Sequence, residues 1–340
     1  MKSITTNSSV GPIVALVGIF VAFSSLWVPV AEAAVINKSV CVREYTKNMK
    51  DGAAVTFWGF TESCMGGGMG GGSAGQVPGP YIEVGVGDTL NLTLSTMMAP
   101  VEDAYKGHTI HLHGADVATG EDGVPETNGN KVDGDTYTWI PTAEMAGSYM
   151  YHCHVHTVKH LDMGMYGPLI VRPKDAAGNY LNQLTTDSKT DYAVEQYLVF
   201  STVDPAYHTE VGDSPVFSHY KPKYFLMNGN EGSVSTDPAV TVSAAVKQKV
   251  ALRLIGLHAV SGTFSIRNDT GVPQPFTVYV QDGRQWPVPE TVTQLDIGSG
   301  QRFDIVVTVP ATHGAWFPQM TYKKLRDGSV YATTYAKVTF

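Results

Sequence analysis

Positive charge is scarce in this chain. Its 340 residues carry 23 Lys and Arg against 31 Asp and Glu, a formal net charge of -8, and no basic run relieves the imbalance. A nucleic-acid partner would need a basic stripe to meet its phosphates, so that class is excluded and small molecules, metals or proteins remain. Helical periodicity is scarce as well. The chain is built instead of short alternating or β-branched runs such as YIEVGVGDTLNLTL, TYTWI, SYMYHCHV, QYLVFSTV and RFDIVVTV, parted by Gly, Pro, Asn and Asp clusters. That pattern predicts an all-β protein of sandwich type. Cysteine is the third shortage: Cys41, Cys64 and Cys153 are the whole supply, and no Cys-x-x-Cys pair is present. A structural zinc framework is thereby disfavoured.

The first 33 residues contain Lys2, the apolar run Ile13 to Val30 and the small-x-small sequence Ala31-Glu32-Ala33. This reads as a secretory signal peptide, which places the mature chain in the periplasm or outside the cell with no membrane association after cleavage. An uncleaved anchor is the competing reading, because the apolar run just reaches spanning length. Cys41 and Cys64 flank the strand-like AVTFWGF and form a candidate disulfide in an oxidising compartment, leaving Cys153 as the odd thiol.

The length suits two domains. The polar segment from Pro173 to Asp191 has no apolar period and is the natural linker, giving domains of 35–172 and 192–340. The Gly-rich stretch MGGGMGGGSAG from Met65 reads as a flexible loop.

Histidine is concentrated where cysteine is not. Seven of the eleven His (108, 111, 113, 152, 154, 156 and 160) fall within 53 residues, whereas His208, His219, His258 and His313 are scattered and read as surface or hydrogen-bonded side chains. Strand parity sorts the cluster. In SYMYHCHV, His152 and His154 share a face and Cys153 points to the other; in GHTIHLHG, His111 and His113 share a face and His108 opposes them. Two sites back to back are therefore predicted.

The first gathers His108 and Cys153, then takes His160 and Met165 from the turn beyond the strand. Two imidazoles, a thiolate and a weak thioether suit a blue copper centre that transfers electrons, and zinc would gain nothing from the Met. Parity does not decide between His156 and His160 or between Met163 and Met165. His160 is preferred because a loop is needed to bring the second ring round, and Met163 then becomes a packing residue. The second site collects His111, His113, His152 and His154, four imidazoles without a carboxylate, again suited to copper. Cys153 is bonded through the backbone to His152 and His154, so the two sites are covalently linked. A Met-based copper-delivery role for Met65 and Met69 is a minor further reading.

At these residues the sequence resembles the multicopper oxidase family, and more closely its two-domain, laccase-like members. The resemblance is carried by PGPYIEVGVGDTLNLTL, GHTIHLHGADVATGEDG and GSYMYHCHVHTVKHLDMGMYGPLIVRP. It implies two cupredoxin-like Greek-key β-sandwich domains, and copper of type 1 at His108, Cys153, His160 and Met165, plus type 2 and/or type 3 at His111, His113, His152 and His154. It also implies a proton-supplying acid at Asp116, an exposed His160 as the port for a small-molecule reductant or an electron-donor protein, and a homo-oligomer, a trimer or a multiple of it. Two departures stand out. The spacing from Cys153 to His160 is two residues longer than the family's HCHxxxH. The second domain, similar through FLMNGNEG, VALRLIGLHAVSGTFSIRND, FTVYVQDG and LDIGSGQRFDIVV, offers Ser265-Ile266-Arg267 and Pro318-Gln319-Met320 where a copper-binding domain reads HxH and HCH.

Half of the family's eight-His cluster is therefore missing. Three outcomes are open: two copies of the first domain complete a cluster face to face; a smaller site resembling that of nitrite reductases uses His113, His152 and His258; or the protein only carries electrons. Nitrite reductases read HCA and carry Asp where His111 stands, which favours the oxidase.

Overall fold

The computed structural model describes residues 33–62, 75–95, 107–127, 134–209 and 217–340. The signal-peptide reading, Cys64, Met65 and Met69 fall outside them. Cys41 is buried, and its thiol donates to the Thr61 carbonyl at 3.4 Å. No described helix is long and apolar enough to cross a membrane.

The chain is all-β. Its first half contains β1 (Val35–Asn48), β2 (Ala54–Thr61), β3 (Ile82–Gly85), β4 (Thr89–Ser95), β5 (His111–His113), β6 (Thr136–Trp139), β7 (Gly147–His152) and β8 (Tyr166–Arg172), with one helix, α1 (Thr157–Asp162). These make two four-stranded sheets in the non-sequential orders β2-β1-β4-β6 and β3-β8-β7-β5. Period-two patterning explains their faces. In β4, Leu90, Leu92 and Leu94 are buried while Thr89, Asn91 and Thr93 are half-buried. Each buried Leu contributes roughly 1.5–3 kcal/mol by leaving water. They meet Val40, Ile82, Tyr149 and Tyr151 in one core.

The second half contains β9 (Val194–Val203), the short α2 (Pro205–His208), β10 (Tyr224–Met227), β11 (Val240–Ser243), β12 (Lys249–Leu257), β13 (Ser261–Asn268), β14 (Pro273–Gln274), β15 (Phe276–Gln281), β16 (Arg284–Val292), β17 (Gln294–Ile297), β18 (Arg302–Thr308), β19 (Ala315–Lys323) and β20 (Val330–Thr339). One sheet runs β10-β9-β12-β18-β15-β16; the other runs β11-β20-β19-β13-β14, with β17 also on β13. Their core includes Phe200, Leu252, Phe264, Ile305 and Tyr322.

The halves meet across β7. All six of its residues are buried, because one face fills its own core and the other meets the second half. Met150 packs with Val199, Ile255 and Leu257, and Ser148 donates from its backbone N–H (3.0 Å) and its hydroxyl to the Asp304 carboxylate. Asp304 also faces the fully buried Arg253 at 3.2 Å. Segment 173–191 is better anchored than its polar composition suggests: Leu184 is fully buried against Ala251, Val280 and Val306.

Candidate metal centres

The β7 strand delivers its ligand residues at the point where it leaves the sheet. It ends at His152, so Cys153 and His154 lie just beyond the regular strand, and His108 precedes β5. The opposed directions predicted from parity nonetheless hold at the step from His152 to Cys153. His156 takes a left-handed conformation (φ 45°) and starts α1, whose turn carries His160 back beneath Cys153. The two residues by which this loop exceeds the common spacing are accommodated in that helix.

His108, Cys153 and His160 converge and are buried. The Cys153 Sγ lies 3.1 Å from His160 Nδ1 and 3.7 Å from His108 Nδ1. Ligands at about 2.1 and 2.3 Å from one ion, set at a trigonal-to-tetrahedral angle, stand roughly 3.7 Å apart, so this spacing fits a shared cation. Burial would push the Cys153 thiol up, but the charge of His160 and the hydrogen bonds of His108 and His160 outweigh it and bring it down to about 5. A thiolate is therefore ready for a soft metal. Met165 is buried in the same cluster, its N–H bonded to the His160 carbonyl (2.9 Å) and its carbonyl to the Cys153 N–H (3.1 Å). Met163 is held instead by Trp58, whose N–H donates to its carbonyl at 2.8 Å.

The second group is His111, His113 and His152. His111 stands directly opposite His152 across β5 and β7. Its Nδ1–H donates to the Asp122 carbonyl at 2.6 Å, which leaves Nε2 as a lone pair. Gly123 makes this contact feasible: it adopts φ +74° and passes so close to the Ile110 carbonyl that a Cβ would stand 1.8 Å from it. His152 Nδ1–H donates to the Cys153 carbonyl at 2.9 Å, so its Nε2 lone pair faces His113 Nδ1 at 3.1 Å. Two nitrogens on a tetrahedral ion at about 2.05 Å would lie roughly 3.3 Å apart. Burial, aided by the charge of Arg302, holds His113 down to about 3, so it is neutral and free to ligate. His154 lies at the rim, its ring centroid 5.1 Å from that of His111.

The remaining expected residues fall less neatly. His160 is fully buried, not exposed, because α1 folds its ring inward against Trp58 at 5.5 Å, so it is no surface port. Asp116 is an exposed residue paired with Arg284 at 2.5 Å. His258 is fully buried in the second half, with Nδ1 on the Val260 carbonyl (2.8 Å) and its ring on Tyr322. It does not join His113 and His152 in the described group, and burial prevents it from reaching a neighbouring copy. Ser265 and Gln319, from the segments that lack the family's HxH and HCH, stand opposite each other on β13 and β19. The neighbour that the second half brings to His113 is Gly300, where a Cβ would lie 3.2 Å from the ring. Sequence reasoning missed Asp122, only eleven residues beyond His111, and Gly300, which reaches His113 only when the two halves meet.

Two family profiles, both described as multicopper oxidase, match residues 67–176 and 199–338. The chain is similar to Laccase-2 of Botryotinia fuckeliana, 31% identical over 284 residues covering 79% of this chain and 43% of the relative. It is also similar to the copper-containing nitrite reductase of Neisseria gonorrhoeae, 28% identical over 202 residues covering 59% of this chain and 44% of the relative. The chain thus spans less than half the length of either. Among solved structures, the Blue Copper Oxidase from Nitrosomonas europaea superposes with a TM-score of 0.65 at 21% identity, over 89% of this chain and 86% of that one. The architecture is that of the cupredoxin-fold copper proteins. Within that class the chain belongs to the multicopper oxidase family, and membership implies copper.

Proposed function

We propose that this chain is an exported copper-dependent oxidoreductase that takes electrons singly from a small reductant or a donor protein and uses them to reduce oxygen. The observation that carries this reading is the pair of donor sets joined at one peptide: Cys153 belongs to the first and its covalent neighbour His152 to the second, with His154 at the rim, its ring 5.1 Å from that of His111. Copper held by His108, Cys153 and His160 with Met165, and by His111, His113, His152 and His154, would supply reversible one-electron chemistry. Reducing one oxygen to two waters then consumes four electrons and four protons.

The chain's own residues perform the supporting work. Burial of His108, Cys153 and His160 excludes water from the first set. Asp122 and the Cys153 carbonyl fix the tautomers of His111 and His152, and Asp116 is the candidate proton source. With His160 buried, the reductant docks beside α1 rather than on the ligand. A largely apolar cavity of about 430 Å³, lined by Val158, Leu161, Tyr220, Leu257 and Val260, supports that position. Residues 35–172 form the copper domain, 173–191 the connection and 192–340 a copper-free domain. Four imidazoles are half of the family's set, so a contact between copies in a homo-oligomer completes the second site.

The similarity to nitrite reductase keeps one second reading in view: one copper of the first type, one of the second, and nitrite as oxidant. Copper counted per chain on the loaded protein, with visible and EPR spectra, separates the two. More than two coppers per chain with an EPR-silent pair supports oxygen reduction. One blue and one EPR-visible copper per chain supports the nitrite-reductase-like site. If Cys153→Ser abolishes turnover but His111→Ala does not, both give way to a plain electron carrier.

A further inference from the structure

The second half offers none of the proposed copper ligands, yet it grips the helix that carries one. Asp162 ends α1, two residues after His160, and is 7% exposed. Three groups of the second half converge on its carboxylate. His208 Nε2 lies 2.9 Å from Oδ2, the Tyr220 hydroxyl donates to Oδ1 at 2.8 Å, and the Asp204 N–H approaches Oδ2 at 3.2 Å. The other nitrogen of His208, Nδ1, lies 2.9 Å from the Thr56 carbonyl on β2. Nε2 also lies 3.0 Å from the Asp162 backbone carbonyl, and carbonyl oxygens only accept, so both ring nitrogens serve as donors. The same strand β2 holds Met163 through the Trp58 N–H and packs the Trp58 indole against His160. A closed circuit results: β2 to His208, His208 to Asp162, and Met163 back to β2.

The geometry points to the buried His208–Asp162 pair as a positioning device that fixes His160 and Met165 against Cys153. The second half thereby sets the shape of a centre it does not ligate. Packing alone would also fill the space, but it would not require both ring nitrogens to find acceptors on two different elements. The inference rests on the copper reading above only for the metal; the restraint on the loop is a property of the chain.

Three variants and two measurements test it. His208→Phe keeps a ring against Phe57 and removes both donors, Asp162→Asn keeps the shape and removes the charge, and Tyr220→Phe removes a single hydrogen bond. On metal-free protein, hydrogen exchange at the Met163 and Met165 amides is expected to quicken at least tenfold in His208→Phe, with less effect in Asp162→Asn and least in Tyr220→Phe. On copper-loaded protein of unchanged copper content, the ratio of the visible thiolate bands and the reduction potential should shift in the same order. Wild-type exchange, spectrum and potential in folded Asp162→Asn and Tyr220→Phe overturn the proposal, and those two variants decide it if His208→Phe does not fold. A wild-type protein without a blue spectrum would count against the copper reading, while the exchange experiment would still judge the restraint.

Discussion

In the first half of the molecule β5 and β7 pair so that His111 stands opposite His152; in the second, β13 and β19 pair so that Ser265 stands opposite Gln319. Both pairs belong to sandwiches with extensive apolar cores. The two cores are built alike, and the halves differ in which side chains line one pair of strands. Buried polarity is spent differently too. In the first half it faces a prospective ion; in the second, Arg253 and Asp304 face each other and hold β7 in place. The second half serves as support, and three substitutions probe that division.

The largest effect is expected at Asp304. Asp304→Ala leaves the fully buried Arg253 without one of its carboxylates and takes both acceptors from Ser148. Breaking such a pair costs about 3–5 kcal/mol. Denaturant titration checks this, and a loss below about 1 kcal/mol would mean that the halves stand independently.

A middle-sized effect is expected from acid. Burial holds His258 down to about 4, whereas an unfolded imidazole titrates near 6.5. The unfolded chain then takes up a proton that the folded one refuses, so stability is intact above about pH 6.5 and falls as pH drops toward 4. Between pH 7 and pH 5 the loss is about 2 kcal/mol. Urea titrations of wild type and His258→Gln at both pH values test it, the variant showing the flatter response. His113 is held down by the same physics, to about 3, but there the neutral ring faces the proposed second copper site.

The smallest stability effect is expected at Asp116, where ion pairing with Arg284 is between side chains 63% and 42% exposed. Asp116→Asn should change stability by no more than about 1 kcal/mol while slowing oxygen consumption. Unaltered turnover would reduce Asp116 to a surface partner of Arg284.

The parting of His152 from Cys153 was legible from spacing, since a two-residue period assigns them to opposite faces; parity did not choose His160 or Met165, and the structure leaves His154 at the rim of the second group. The all-β class was legible for the same reason, in runs such as Thr89–Ser95. The burial of His160 was not, because it depends on six residues closing into a helix rather than continuing a loop. Nor was the union of Asp162 with His208, which joins positions 46 residues apart that carry no local signal. Leu184 was hidden in its polar surroundings: a single apolar residue has no period, and its burial depends on what lies beneath it.

β7 lends the molecule an order of failure. It is hydrogen-bonded to β5 on one edge and β8 on the other, and each face is covered by a different half. Its burial therefore depends on both halves, while its His152 end is flanked on one side only by the short edge strand β5. Heat or denaturant is expected to fray the three-residue edge strand β5, with His111 and His113, before the central β7, so His152 and Cys153 outlast their partners across that pair.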